Sequence, residues 1–252
     1  MEVHEIKGFI QSMYLVVYHD KMLLLDSGTS ADAEVVFDYI ENKLKRPKSD
    51  LKVVLVTHVH PDHSGGASVF KKSGIKIAGD SDSNSWYKGF KGFIVYLIDI
   101  FLAYLVFLKI RKGRPFKNIF FKRHVDYDFD LSDGEVIPGF EDWEILETPG
   151  HTHRDLSAYH KESSTIYVAD NIIGKFKSIV TPYPINFPDL YKNSLKRYTD
   201  LGVMRYLLAH YSSREITPAE IENLIRVAPN KEISHHNSLG KIVKGLVKSF
   251  FK

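Results

Sequence analysis

The stretch VTHVHPDHSGG, residues 56–66, sets three histidines and an aspartate within six positions: His58, His60, Asp62 and His63. Neutral imidazoles and carboxylates share few tasks that need such density, and metal binding leads among them. The run before it, LKVVLVT, is continuously apolar and reads as a strand buried on both faces. If the extended conformation continues past Thr57, His58 and His60 point the same way, because side chains alternate with period two, and both can grip one ion. Pro61 then breaks the strand, a helix begins at about Asp62, and the turn carries Asp62 and His63 toward a second position. Two ions about 3.5–4 Å apart, the spacing of two-metal sites generally, follow from this reading. The alternative is a polar loop with incidental histidines.

Outward from this stretch, the first third of the chain reads as strand, strand, helix, strand. YLVVYHD and KMLLLDSG are short apolar runs on either side of a turn at His19, Asp20 and Lys21. ADAEVVFDYIENKLKR has helical spacing and is stopped by Pro47. SGGASVFKKSG predicts a short helix with a glycine stop, and IKIAGD another strand. The second half repeats the scheme. WEILETPGH is a strand running into His151, LSAYH and TIYVADN are strands, and SLKRYTDLG is a helix. VMRYLLAH enters a strand that ends at His210, and TPAEIENLIRVA is a capped helix with Pro218 in its first turn. Strands ending in polar loops, twice over, predict two packed sheets flanked by helices.

The 252 residues are expected to form one domain, with 44% apolar residues to fill its core. There is no cysteine, which removes disulfides, thiolate ligands and a cysteine nucleophile together. The opening MEVHEIKGFIQSMY has acids and no apolar core of a secretory signal, so a cytoplasmic setting is expected. The net charge of +3 is unevenly spread. Residues 88–123 carry nine Lys or Arg and one acid, Asp99, and residues 239–252 carry four lysines and no acid. Both blocks are also apolar. Residues 93–108 are apolar apart from Asp99, a run shorter than the ~20 residues that span a bilayer, and an acid near the middle argues further against spanning. This insert, about residues 86–125, must still be buried somewhere: as a lid over the site, between two subunits of a homodimer, or in a lipid surface. In the tail, residues 238–252, Leu239, Ile242, Val243, Leu246, Val247 and Phe250 make an apolar stripe with lysines off it. That is a basic amphipathic helix, suited to a peripheral membrane contact or to packing on its own domain. Nucleic acid is disfavoured, since the aromatic residues sit among Ile, Leu and Val instead of alternating with cations.

THVHPDH resembles the H-x-H-x-D-H motif of the metallo-β-lactamase superfamily, and the other expected positions follow in order. TPGHT supplies His151, IYVAD supplies Asp170 and YLLAH supplies His210, so the resemblance covers roughly residues 3–215. It implies a four-layer αββα sandwich and two divalent metal ions, zinc foremost, with iron or manganese as alternatives. It further implies that His58, His60 and His151 hold one ion, that Asp62, His63 and His210 hold the other, and that Asp170 bridges them. Asp62 and Asp170 would be the catalytic carboxylates. Asp26, ending a strand in LLLDSG, would support the site or cap a helix. His153 and His160 are expected near the site, His153 as an outer contact or a plain loop residue.

The family's PGHTxG appears here as PGHTHRD, with Arg154 in place of the glycine. That arginine could hold a substrate carboxylate or phosphate, or pair with Asp155 or Glu162. The nearest pattern within the family is the glyoxalase II-like and lactonase-like group. The implied activity is attack of metal-bound hydroxide on a thioester, ester or lactone carbonyl of a small, partly apolar substrate. Its rivals are an iron-dependent persulfide dioxygenase, a phosphodiesterase or nuclease, and a membrane-surface binding protein with a vestigial site.

Overall fold

Period-two alternation decides which side chains meet in the middle of the molecule. In the strand Ser12–Val17, Tyr14 and Val16 face one way and Met13 and Leu15 the other, and all four are buried. Both faces of that sheet are therefore covered. The structure is a computed structural model and describes residues 1–110, 113–176 and 178–233.

The first sheet is formed by β1 (Glu2–Lys7), β2 (Ser12–Val17), β3 (Met22–Leu25), β4 (Leu51–Leu55), β5 (Lys76–Gly79) and β6 (Phe129–Asp130), in that spatial order. β1 to β3 are antiparallel neighbours, and β3 to β6 run parallel. The second sheet holds β7 (Val136–Ile137), β8 (Phe140–Glu147), β9 (Leu156–His160) and β10 (Thr165–Tyr167). After a hairpin of β11 (Ile173–Lys175) and β12 (Ser178–Val180), β13 (Arg205–Leu207) joins its edge parallel to β10.

Three apolar clusters fix the layers. Tyr14, Val16, Leu23, Leu25, Val53 and Leu55 of the first sheet pack on Trp143, Ile145, Ala158 and Tyr167 of the second. On the outer face of the first sheet, Met13, Leu15, Leu24 and Val54 meet Val36 of α1 (Ala33–Asp38) and Phe70 of α3 (Ala67–Lys72), with α2 (Pro61–Ser64) between those helices in the chain. α4 (Gly89–Ile110) belongs to the insert and follows β5. Outside the second sheet, Leu146, Ile166 and Leu208 meet Leu195 and Tyr198 of α5 (Pro188–Asp200) and Ile221 and Leu224 of α6 (Pro218–Val227). The result is the αββα sandwich the sequence predicts. α6 begins as predicted: Thr217 and Glu220 exchange side-chain and backbone hydrogen bonds in a capping box, and Pro218 opens the helix.

The insert departs from expectation. Its helix is longer than the apolar run, because Gly89 and the basic ends are helical too. At 22 residues and a mean hydropathy of 2.3 in its most apolar window, α4 is long and apolar enough to cross a membrane by length and composition. Length alone therefore does not set it apart from a spanning helix. Nor is the helix buried all round: Tyr96, Ile100, Ala103 and Phe107 form a fourth cluster with Phe9, Ile10, Val59 and Tyr87, while its opposite side faces solvent. The amphipathic tail expected over 238–252 lies outside the described residues.

Candidate metal centre

β3, β4, β8, β10 and β13 all lead into the same edge of the sandwich, and their following loops carry the polar side chains. β4 stops at Leu55, so residues 56–60 form a loop and not the strand extension that the sequence suggests. His58 and His60 still converge, because Val59 between them is drawn into the insert's cluster. His60 is extended and α2 starts at Pro61, one residue before the predicted position. The loop is tied from several sides. Ser64 donates to the carbonyl of Val59 at 2.8 Å, Ser27 to that of His63 at 2.8 Å, and the Gln11 amide to that of Asp62. Only glycine fits at position 65, where a Cβ would stand 2.2 Å from the Pro61 carbonyl oxygen.

Seven side chains meet at this edge. His58, His60, His151 and Asp170 form one group and Asp62, His63 and His210 another; within each, the candidate ligand atoms lie within 4.8 Å of one another. His60 Nδ1 stands 3.2 Å from His58 Nε2 and 3.0 Å from His151 Nε2. Asp170 turns one oxygen to each group. Its Oδ2 is 3.3 Å from His151 Nε2 and 4.0 Å from His58 Nε2. Its Oδ1 is 3.1 Å from both His63 Nε2 and His210 Nε2. Asp62 Oδ2 completes the second group, 3.4 Å from His210 Nε2.

These separations suit cations. A tetrahedron with zinc–ligand bonds of about 2.0–2.1 Å has edges of about 3.4 Å. His63 Nε2 and Asp170 Oδ1 are buried and close, yet neither makes a hydrogen bond among the described residues. Lone pairs aimed at a common point give that result. The far nitrogens explain the aim. His151 Nδ1 donates to the Pro184 carbonyl at 2.8 Å, His63 Nδ1 to Asp26 at 2.6 Å, and His58 Nδ1 to the Thr57 hydroxyl at 3.1 Å. Each such bond holds the proton on the outer nitrogen and leaves the inner one free to ligate.

Asp26 is the hub of this support. It is wholly buried, sits at φ +64°, and accepts from the Thr57 amide at 2.8 Å and hydroxyl at 2.9 Å, and from Tyr167 at 2.6 Å, besides His63. That settles its two sequence readings in favour of support. Asp170 follows Ala169 at φ +45°, an uncommon conformation for a residue with a Cβ. His151 follows Gly150, where a Cβ would meet Tyr191 at 2.4 Å, and Asp155 fixes the turn by accepting from the Thr152 amide at 2.8 Å.

Electrostatics mark the same place. Burial alone would raise the Asp170 carboxyl, but the imidazoles of His63 and His210, with hydrogen bonds from His151, hold it well below the usual carboxylate range. Burial works against a charge on His63 and His210 as well; Asp170, Asp26 and Asp62 outweigh it at His63, and Asp170 and Asp62 raise His210 to about 10. Burial and the neighbouring His63 and His60 push His58 well below its ordinary value. An acid-rich pocket that draws protons onto imidazoles offers the same field to a metal cation, which would displace those protons.

Several expectations are corrected. Arg154 faces Asp82 at 3.0 Å and Asp80 at 3.6 Å, not Asp155, Glu162 or the cleft, because Asp155 is committed to the Thr152 turn. His160 sits at the far end of β9, bound to Asp142 at 3.0 Å. His153 is not among them: it stacks on Trp86 with ring centres 5.4 Å apart and meets Ser85 at 2.8 Å, outside both groups, in keeping with its reading as a loop residue. The structure also adds residues: Gln11 and Asp99. Asp99 is buried on the inner side of α4, accepts from Tyr87 at 2.9 Å and stands 3.7 Å from His60 Nε2. An acid alone in an apolar run was the only signal for it. The cleft over the two groups holds about 130 Å³ and is walled by Ile10, Leu102, Ala103, Val106 and Tyr183.

A four-layer sandwich with two histidine–carboxylate groups at its strand ends defines a class of protein. The model of the metallo-β-lactamase superfamily matches residues 6–210, and this chain belongs to that superfamily. Its members bind metal ions. Among relatives, the probable metallo-hydrolase YqjP of Bacillus subtilis is 24% identical over 175 residues, 65% of this chain and 53% of the relative. A probable hydroxyacylglutathione hydrolase of Schizosaccharomyces pombe is 43% identical over 56 residues, 21% of this chain and 22% of the relative. The matches thus span about half of the first and about a fifth of the second. A metallo-β-lactamase family protein of Thermus thermophilus superposes with a TM-score of 0.69 at 20% identity, over 89% of this chain and 78% of that one, a likeness of fold.

Proposed function

We propose that this chain is a dinuclear metal-dependent hydrolase of esters, thioesters or lactones that carry an apolar part. The observation that carries the reading is Asp170, one carboxylate with an oxygen turned to each of two histidine groups. His58, His60, His151 and Asp170 would hold one divalent ion, and Asp62, His63, His210 and Asp170 the other. Bound there, zinc or a similar ion supplies Lewis acidity and a water acidic enough to lose its proton near neutral pH.

The chain's own part is positioning. Asp26, Thr57 and the Pro184 carbonyl hold three imidazoles by their outer nitrogens and turn the inner ones to the site. Asp99 stands 3.7 Å from the outer nitrogen of His60, farther than a hydrogen bond reaches, and acts on it through charge. Ile10, Leu102, Ala103 and Val106 exclude water from one side of the cleft and favour an apolar group there. With Arg154 engaged elsewhere, that wall supports an apolar substrate more than an anionic one. Likeness to a metallo-hydrolase and, over a short stretch, to a hydroxyacylglutathione hydrolase supports hydrolysis of a carbonyl ester.

Elemental analysis of the purified protein, followed by a panel of ester, thioester, lactone and phosphodiester substrates and by oxygen uptake with a persulfide, tests the reading. Two metal ions per chain and turnover of a carbonyl ester are expected, with both lost in His60→Ala. One ion or fewer per chain, or full turnover in His60→Ala, overturns it.

A further inference from the structure

α4 has two unlike faces. Gly92, Tyr96, Asp99, Ile100, Ala103 and Phe107 are buried against the protein. Phe90, Phe93, Ile94, Leu97 and Phe101 fall at i, i+3, i+4, i+7 and i+11 and are all exposed, Phe90 by 79%. Solvated helices place polar residues on such a face, and a contiguous apolar stripe marks a contact surface. The surroundings say which contact. Lys88, Lys91, Lys109, Lys117 and Lys122 are exposed around the stripe, and Arg123 lies over the Phe93 ring at 5.1 Å. The one acid of residues 88–123, Asp99, points inward to Tyr87 and His60. Apolar side chains flanked by these cations, with no outward acid within residues 88–123, complement an anionic lipid surface.

The inner face decides how the helix meets that surface. Twenty-two residues rise about 33 Å, enough to cross a bilayer. Crossing would strip Tyr96, Ile100 and Phe107 from their cluster and take Asp99 from Tyr87 and His60. Lying lengthwise in the interface keeps every one of those contacts. We propose that α4 rests along the surface of an anionic bilayer, its outer stripe among the acyl chains and its inner face roofing the cleft, so that the cleft takes a lipophilic ester from that membrane. The substrate half of this statement rests on the hydrolase reading; the docking half does not.

Sedimentation of the full chain with phosphatidylcholine–phosphatidylglycerol vesicles, against phosphatidylcholine alone, tests the docking. Salt-sensitive binding to the anionic vesicles is expected. Phe93→Glu/Leu97→Glu/Phe101→Glu should weaken it more than tenfold, and Lys91→Glu/Lys109→Glu by about tenfold. These positions are exposed, and circular dichroism melts unchanged from the parent establish that the variants fold. No binding by the parent overturns the proposal. So does parent-like binding by the stripe variant that is lost on deleting residues 239–252, or bound protein that resists alkaline carbonate, which would mean a spanning helix. A dimer of the parent in light scattering that the stripe variant dissolves, with vesicle binding unchanged, assigns the stripe to a second copy and also overturns it. Vesicle binding that persists while no carbonyl ester, soluble or carried in the vesicles, is hydrolysed removes the hydrolase reading and the substrate half with it, and leaves the docking half standing.

Discussion

Residues 57–64 and α4 depart from the ordinary rule of burial in opposite senses. The first segment buries Thr57, His58, His60, Asp62, His63 and Ser64, all within 7% of full burial, while α4 exposes Phe90, Phe93 and Phe101. Polar groups out of water cost about 1–3 kcal/mol each when unpaired, so the loop is tolerable only because each group has a designated partner or faces its companions across the site. Its position is therefore over-determined, as metal ligands require. α4 is committed through one face only, and its other face lacks any cover among the described residues. The contrast separates two kinds of surface: a buried polar loop held from several sides, and a helix that leaves an apolar stripe open for contact.

The largest effect is expected at the residue that both groups share. Asp170→Asn keeps shape but removes charge and one ligating oxygen from between two histidine groups. Turnover should fall more than about 100-fold, the upper range for losing an outer partner of a metal ligand. Bound metal, counted by mass spectrometry of the digested protein, should fall with it. One step outward, Asp26→Asn places an amide where Thr57, His63 and Tyr167 all donate. Metal affinity or turnover should drop about 10–100-fold, with about 2–3 kcal/mol of stability lost in a denaturant titration. Parent-like affinity in that variant would mean that the loop is held by its backbone ties alone.

Much of this was legible before any coordinates. The strand–loop–helix context of VTHVHPDHSGG comes from spacing, and the candidate ligand types and their order along the chain come from the family resemblance. β2 to β5, β8 to β10, β13 and α6 follow from alternating or continuous apolar runs and a capping signal. β1 was missed because EVHEIK alternates weakly and forms an edge, with only Ile6 buried. The role of Asp99 was hidden for a different reason: a lone acid in an apolar run reads as a penalty until its long-range partners, Tyr87 and His60, are known. Arg154 and His160 were misjudged on nearness in sequence, which says nothing of which strand end a side chain occupies.

Through Asp99, alone among the described acids of α4, the helix takes part in the polar site. Asp99→Asn preserves the Tyr87 bond but no longer attracts a proton to His60 Nε2. A drop in zinc affinity of about tenfold is expected, with an altered visible spectrum of the cobalt-substituted protein. An identical cobalt spectrum would reduce the carboxylate to a partner of Tyr87.

The smallest effect is expected at Phe101, and its neighbour within α4 supplies the contrast. Ile100 is 3% exposed in the cluster with Phe9 and Tyr87, and Phe101, the next residue, is 48% exposed on the stripe. Truncating Ile100 to alanine removes buried methylenes from a packed site and should cost about 2–4 kcal/mol. Truncating the larger Phe101 should change stability by less than about 0.5 kcal/mol, because its ring is largely solvated already. Chemical denaturation of both variants in the same buffer measures the difference directly. Equal losses would mean that the stripe is covered in solution, by a second copy or by another part of the chain, and that the helix is not half-committed at all. A near-zero loss at Phe101 beside a large one at Ile100 means that the outer stripe adds nothing to folding stability, as a face free to make contact requires.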